Sequence, residues 1–397
     1  MKRIVTLLLA LALVLSLVAC GGMTAETKTE EPTQSAEAEQ PAATEEPAQN
    51  EQPAETQTAQ EPQTPDAADQ TGGETVTFTD DCGRTVEIPA AITRVVPTGG
   101  MAQVALFALA PEMFVGLASD WSEAAEAYVD PAYRDLPVLG ALYGSADLNL
   151  EELALTDPQL IIDIGEAKKT IVEDMDAMQE QTAIPSVHIE ATLSSMADAY
   201  RKLGALLGRE ERAEQIASFC ERVYNRTLGI MHQVGENKVK ALFVVGDEGL
   251  NVIANGSFHA EVFDLLTDNL AVVESPSGKG SGNEVTMEQI ALWDPDFIVF
   301  GPDSIYGTVA EKDTWKDMKA IADHNYVEVP YGPDNWMGMP PSVQRYLSLI
   351  WLTAVLYPDF CDYDVKAEVQ ECYKLLYSCD LTDEQYAELT QNAFLAG

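Results

Sequence analysis

Residues 210–233, EERAEQIASFCERVYNRTLGIMHQ, decide the fold. Ala213, Ile216, Ala217, Cys220, Val223, Tyr224, Leu228 and Met231 recur at helical spacing and form one apolar stripe. At about 1.5 Å per residue the segment makes a helix roughly 35 Å long. A second helical pattern, 194–207, precedes it and is set off by Gly208. A helix of that length is a spine able to join two lobes.

The flanking sequence supplies the lobes. Val76-Thr77-Phe78-Thr79 and residues 83–89 read as a hairpin with its turn at 80–83. Residues 94–97 form a short strand, and Gly99-Gly100 opens a helix through Leu109. Residues 114–117, 160–164 and 185–189 read as further strands. Beyond the spine, strands are expected at 241–245, 251–254, 297–300 and 326–329, with helices near 259–266, 287–292 and 314–322. Strands alternating with helices argue for parallel α/β sheets. The expected architecture is α/β: two Rossmann-like lobes, residues 75–208 and 237–397, joined by one long linking helix at 209–236. The ligand cleft lies between the lobes.

The N-terminus addresses the chain. Lys2 and Arg3 precede an apolar run at 4–15 and then Leu17-Val18-Ala19-Cys20-Gly21. A short basic region, an apolar stretch and a small residue before the cut describe a secretory signal. The run falls short of the ~20 residues that span a bilayer. Its ending resembles a bacterial lipobox, so residues 1–19 are expected to be cleaved and Cys20 lipidated, which makes the protein extracytoplasmic and anchored to the cell membrane. Residues 23–74 hold no aromatic, 13 acids and one base, Lys28. Such a segment cannot bury enough apolar surface to offset its ordering entropy. Residues 20–74 therefore read as a lipidated cysteine with a disordered acidic tether.

Charge and cysteines exclude several functions. Of the net −42, the leader contributes +2 and residues 23–74 contribute −12, leaving −32 for residues 75–397. Nucleic acid is excluded, because phosphate binding needs clustered Lys and Arg. The acidity favours a neutral or cationic ligand over a diffusing anion. Cys82, Cys220, Cys361, Cys372 and Cys379 form no Cys-x-x-Cys pair, and their pairing stays open. No Gly-x-Ser-x-Gly, phosphate-loop or His-Glu-x-x-His motif occurs. We therefore expect no enzyme and no cofactor.

Residues 334–352 suggest how a ligand is held. Trp336, Met337 and Met339 sit in a loop stiffened by Pro340 and Pro341, which offers a polarizable apolar surface. The alternative is that they cover a core. Pro341 suits the first turn of a following helix and Ser342 its cap.

Several segments together resemble the substrate-binding proteins of importers for iron–siderophore, haem and cobalamin, whose lobes share one rigid helix. They are Asp81-Cys82-Gly83-Arg84-Thr85-Val86-Glu87-Ile88-Pro89 with Arg94-Val95-Val96, Asn149-Leu150-Glu151-Glu152-Leu153 with Asp157-Pro158-Gln159-Leu160-Ile161-Ile162, and Gly256-Ser257-Phe258-His259. Val285-Thr286-Met287-Glu288-Gln289-Ile290 with Asp294-Pro295-Asp296-Phe297-Ile298-Val299 and the Trp336 segment complete the set. The resemblance implies an extracytoplasmic receptor that delivers a ferric siderophore, cobalamin or haem to an ABC importer's permease, with the energy supplied by the importer's ATPase.

The resemblance also implies residue roles. Glu151 and Glu288, one per lobe, match positions that present a carboxylate to permease arginines, although each also suits the positive end of a helix. Asn149 and Thr286 suit the N-caps. Ligand contacts are expected at Gly100, Met101, Trp121, Tyr143, Glu166 (within 163–166), Asp247, His259, Trp336, Met337 and Met339. For each aromatic alone, core packing is the competing role. His259 offers an imidazole to a metal, or merely starts a helix, and Arg345 is read as structural. His188, His232 and His324 have no metal-site spacing, and no His/carboxylate cluster suits a bare ion. The alternatives are a receptor for a small oxyanion such as molybdate or tungstate, and a cell-surface module without an importer. A monomer is expected.

Overall fold

An N-terminal hairpin, β1 (Thr75–Thr79) and β2 (Thr85–Pro89), pairs antiparallel in the expected place. The structure, a computed structural model, describes residues 74–141 and 148–395. The expected leader, Cys20 and all of the tether but Glu74 lie outside the described residues, as does Tyr143. Val86 and Ile88 enter the core, and the Arg84 guanidinium fastens the hairpin to the lobe by bonding Asp80, Asp176 and the Ser186 carbonyl.

Three parallel strands follow: β3 (Val95–Pro97), β4 (Leu160–Gly165) and β5 (Ser186–Glu190), in that order. Helix α1 (Gly100–Leu109) leaves β3. The short α2 (Pro131–Arg134) and α3 (Leu150–Thr156) precede β4, and α4 (Ile171–Thr182) joins β4 to β5. Helices α5 (Met196–Leu207) and α6 (Glu210–Val234) then lead to the second sheet.

In that sheet β6 (Lys240–Val245), β10 (Phe297–Phe300) and β11 (Tyr326–Glu328) run parallel. Its far edge holds the two-residue strands β7 (Asn251–Val252), β8 (Asp268–Asn269) and β9 (Asn283–Glu284). Its helices are α7 (Glu261–Leu266), α8 (Met287–Trp293), α9 (Lys319–Ala322), α10 (Arg345–Leu356), α11 (Val365–Tyr377) and α12 (Asp383–Leu389).

Strand alternation distributes the core. Val95, Leu160, Ile162 and Ile164 face the main core, whereas Val96 and Ile161 face a smaller cluster with Leu153 and Met178. In the second sheet Phe243 and Val299 join that same main core, while Leu242, Val244, Ile298 and Phe300 pack with Trp315 on the other side. Both sheets are thus buried on two faces, as parallel sheets must be. The main core runs from one sheet to the other along α6 and the buried helix α10.

The linking helix has 25 residues, or about 37 Å at 1.5 Å each. Its stripe differs from the sequence reading at one edge. Leu228 is exposed and Tyr224 half-buried, whereas Phe219, Thr227 and Ile230 are buried. The buried positions 213, 216, 220, 223, 227, 230 and 234 alternate steps of three and four, and Leu228 falls off that seam.

Other expectations are corrected. Residues 114–117 make only single bridges, Val95 to Phe114 and Leu117 to Val138. The strand at 251–254 shrinks to two residues, and the helix at 314–322 to α9. Helix α10 starts at Arg345 behind Gln344. Ser342 does not cap it but donates to the Met101 carbonyl at 2.9 Å, across to α1. All five described cysteines are free thiols.

The α5–α6 turn depends on Gly204, where a Cβ would lie 2.4 Å from the Cβ of Ala213. Gly204→Val should lower the thermal midpoint through an overpacking cost of about 1–3 kcal/mol. Gly229, in α6 with open space around it, should give the opposite sign as Gly229→Ala, about 0.5–1 kcal/mol of stabilisation. Equal midpoints for wild type and Gly204→Val would contradict the close packing.

Candidate functional site

The cleft forms at the carboxyl ends of the first parallel sheet, where α/β proteins place ligands. After β3, Thr98 and Gly99 turn directly into α1. Gly99 caps that helix with no side-chain acceptor, so its positive end meets the cleft. A Cβ on Gly100 would stand 3.2 Å from the Pro340 ring, so the other lobe lies against it. At the end of β4, Gly165 adopts φ +151°, and a Cβ there would come within 2.9 Å of Met101 Cε. Phe258, His259, Gly278, Pro340 and Pro341 form the opposite wall, and the space enclosed is about 210 Å3.

The floor carries a buried polar chain. The Thr98 hydroxyl donates to Asp163 Oδ1, and His188 Nδ1 lies 2.7 Å from Asp163 Oδ2. Asp163 reaches the cleft, while His188 is fully buried, with no partner at Nε2 among the described residues. Glu166 and Lys168 stand at the rim.

On the wall, His259 Nδ1–H donates to the Gly338 carbonyl at 3.2 Å. Burial pushes this imidazole below its ordinary value, the Gly338 carbonyl works against that, and the Arg345 charge adds to it. His259 is therefore neutral at pH 7, the form that binds metals. Arg345 plays a structural part. It is fully buried, bonds Glu261 at 2.6 Å and the Ser342 carbonyl at 3.2 Å, and lies 4.8 Å over the Phe258 ring.

Of the sequence-predicted contacts, Gly100, Met101, Glu166 and His259 converge on this cleft. Met339 flanks it, since it and His259 both lie 3.4 Å from the position of a Cβ on Gly280. The others are elsewhere. Trp336 and Met337 are 0% exposed, and the Trp336 indole donates to the Tyr373 hydroxyl at 3.1 Å, so this pair is core and not ligand surface. Trp121 packs edge-on against Phe107 at 4.9 Å, and Asp247 is exposed on the β6–β7 turn. Neither lines the cleft. Thr98 and Lys168 were not anticipated. Their signal was position, since a polar residue just after a buried parallel strand faces the ligand side.

Glu151 and Glu288 occupy matching places. Each is the second residue of a seven-residue helix, α3 or α8, and both are exposed. Asn149 accepts from the Glu152 N–H and Thr286 from the Gln289 N–H, which confirms both caps. Both helices end on a left-handed aspartate, Asp157 and Asp294, each at φ 46°, before a proline and a strand. Among the described residues no group of three or more His, Cys, Asp or Glu side chains is placed to hold a metal ion, and no helix is long and apolar enough to cross a membrane.

Comparison with known proteins places this architecture. The periplasmic binding protein family model matches residues 91–331, and the chain belongs to that family. An ABC transporter solute-binding protein from Sulfurospirillum deleyianum is 25% identical, with a TM-score of 0.73 over 79% of this chain and 99% of that one. The molybdate-bound MolA protein of Haemophilus influenzae is 17% identical, with a TM-score of 0.61 over 76% of this chain and 98% of its own. The catecholate-siderophore binding protein VctP of Vibrio cholerae is 18% identical, at 0.51 over 70% and 98%. No curated protein matches the chain. The protein is thus an extracytoplasmic solute-binding protein of the linking-helix class that serves ABC transporters, in a family that is not enzymatic.

The loop behind the cleft contains one displaced acid. Burial raises the Asp334 carboxyl to about 7, and a Tyr377 hydroxyl 3.4 Å away only partly offsets this. The adjoining Pro333 carbonyl accepts from Ser122 at 2.8 Å, which ties the loop to the first lobe. With its folded value above its ordinary 3.8, Asp334 favours folding in the protonated form, and that contribution is lost as pH rises from about 4 through about 7. The thermal midpoint of Asp334→Asn minus that of wild type should therefore grow between pH 4.5 and pH 8. A flat difference would contradict the raised value.

Proposed function

We propose that this chain is a lipid-anchored receptor for a metal chelate, a ferric siderophore, cobalamin or haem, which it hands to the permease of an ABC importer. The observation that carries this reading is the half-buried imidazole of His259, placed in one cleft with Asp163 and Glu166 and pushed toward its neutral form by desolvation. A neutral imidazole can complete the coordination of a chelated metal, and the two carboxylates disfavour a free anion. The anionic donor atoms of a chelate suit the positive end of α1. The 210 Å3 cleft alone is small for such a solute, but a neighbouring cavity of about 580 Å3 shares Glu166 and Phe258 with it and adds Tyr224 and Leu265.

The second reading is a small oxyanion such as molybdate. The uncapped start of α1 and the modest cleft favour it, and Asp163 and Glu166 oppose it. Calorimetric titration of the purified chain with cobalamin, haemin, a set of ferric siderophores and molybdate separates the two. One chelate should bind saturably, with affinity level from pH 8 to 6.5 and falling below as His259 protonates. His259→Ala should weaken that chelate at least tenfold. Binding of molybdate alone would replace the chelate reading.

Lipidation at Cys20, cleavage of residues 1–19 and a monomeric state belong to the same proposal. So does docking, in which Glu151 and Glu288 each meet a permease arginine. Glu151→Arg combined with Glu288→Arg should leave solute affinity unchanged and abolish uptake in cells. Normal uptake by that variant would sink the docking role and favour a surface module.

A further inference from the structure

Helices α3 and α8 repeat more than their glutamates. Residue by residue, Leu150, Glu151, Glu152, Leu153, Ala154, Leu155 correspond to Met287, Glu288, Gln289, Ile290, Ala291, Leu292. Folding explains part of the repeat. Leu153 and Ile290 are buried anchors, and the caps and left-handed aspartates close each helix before its strand. It does not explain the outward face. Glu151, Ala154 and Leu155, like Glu288, Ala291 and Leu292, lie at i, i+3 and i+4 and share one helix face, and all six are exposed. Leu155 is 78% exposed and Leu292 79%, the two highest values among the large hydrophobic residues described. A single exposed leucine needs no explanation. Two at equivalent positions on two lobes, each one turn after an exposed carboxylate, do.

We propose that this Glu–Ala–Leu face is one contact element used twice, and that its occupant is the two-fold symmetric permease of the importer. Resting on the docking role proposed above, the inference adds an apolar half to each contact. The carboxylate meets a cationic side chain, Ala154 or Ala291 allows close approach, and Leu155 or Leu292 enters a recess beside that cation. Two like faces on one chain match a partner that offers the same surface twice. Charge sets orientation and encounter, while the leucine, once desolvated, slows release.

The test places a photoreactive benzophenone side chain at position 155 or 292 of the full chain in host cells, with positions 172 and 228 as exposed controls. Both test positions should cross-link to the same polytopic permease subunit, identified by mass spectrometry, at least tenfold above the controls. Leu155→Ser with Leu292→Ser should lower uptake at least tenfold at an unchanged thermal midpoint. Cross-links only to a second copy of this chain, or none above the controls, overturn the leucine contacts. If the contacts fail while Glu151→Arg with Glu288→Arg has lost uptake, the docking role survives without them. If that glutamate variant transports normally as well, both fall.

Discussion

A helix of 25 residues cannot shorten without giving up backbone hydrogen bonds, and α6 sets the spacing between the two sheets on that account. Its buried face lies in the same apolar core that holds Val95 and Ile162 of the first sheet and Phe243 and Val299 of the second. Separating the lobes widely would expose part of that core to water. Movement about the cleft is thereby limited to small tilts, and the walls that receive a solute are largely preformed. The Ser342–Met101 and Ser122–Pro333 hydrogen bonds add polar ties across the same divide.

Within that frame the cleft combines groups that would conflict in the open. A helix terminus and Lys168 attract negative charge, Asp163 and Glu166 repel it, and His259 is held neutral between them. A solute that carries both a metal and anionic donor atoms can satisfy all of these at once, whereas the described residues place no group of three or more His, Cys, Asp or Glu side chains for a bare cation. The Asp163 carboxylate is itself fixed from behind by Thr98 and His188, so its direction is set before any solute arrives.

Legibility in the sequence followed the range of the interaction. Helix caps are local, and Asn149 and Thr286 were readable because the acceptor lies three residues from its donor. The apolar period of α6 was also local, apart from the Leu228 edge. Trp336 was misread as ligand surface because its partner, Tyr373, comes from α11, 37 residues on, and nothing near Trp336 announces it. The tetrapeptide 114–117 has strand composition but meets a neighbour at only one residue on each side, a tertiary outcome no propensity contains. Helices α4, α11 and α12 were not anticipated. His259 was readable as a candidate but not as a neutral one, since that depends on its burial and on Arg345, 86 positions away.

The central claim is that solute is held between the lobes at the ends of β3 and β4. Hydrogen–deuterium exchange of the full chain, measured without and with saturating amounts of whichever panel compound binds, tests it most directly. The account predicts new protection confined to residues 98–102, 163–168, 256–259, 278–280 and 338–341. Protection centred instead on residues 123–128 and 388–392, which line a separate groove, would contradict it.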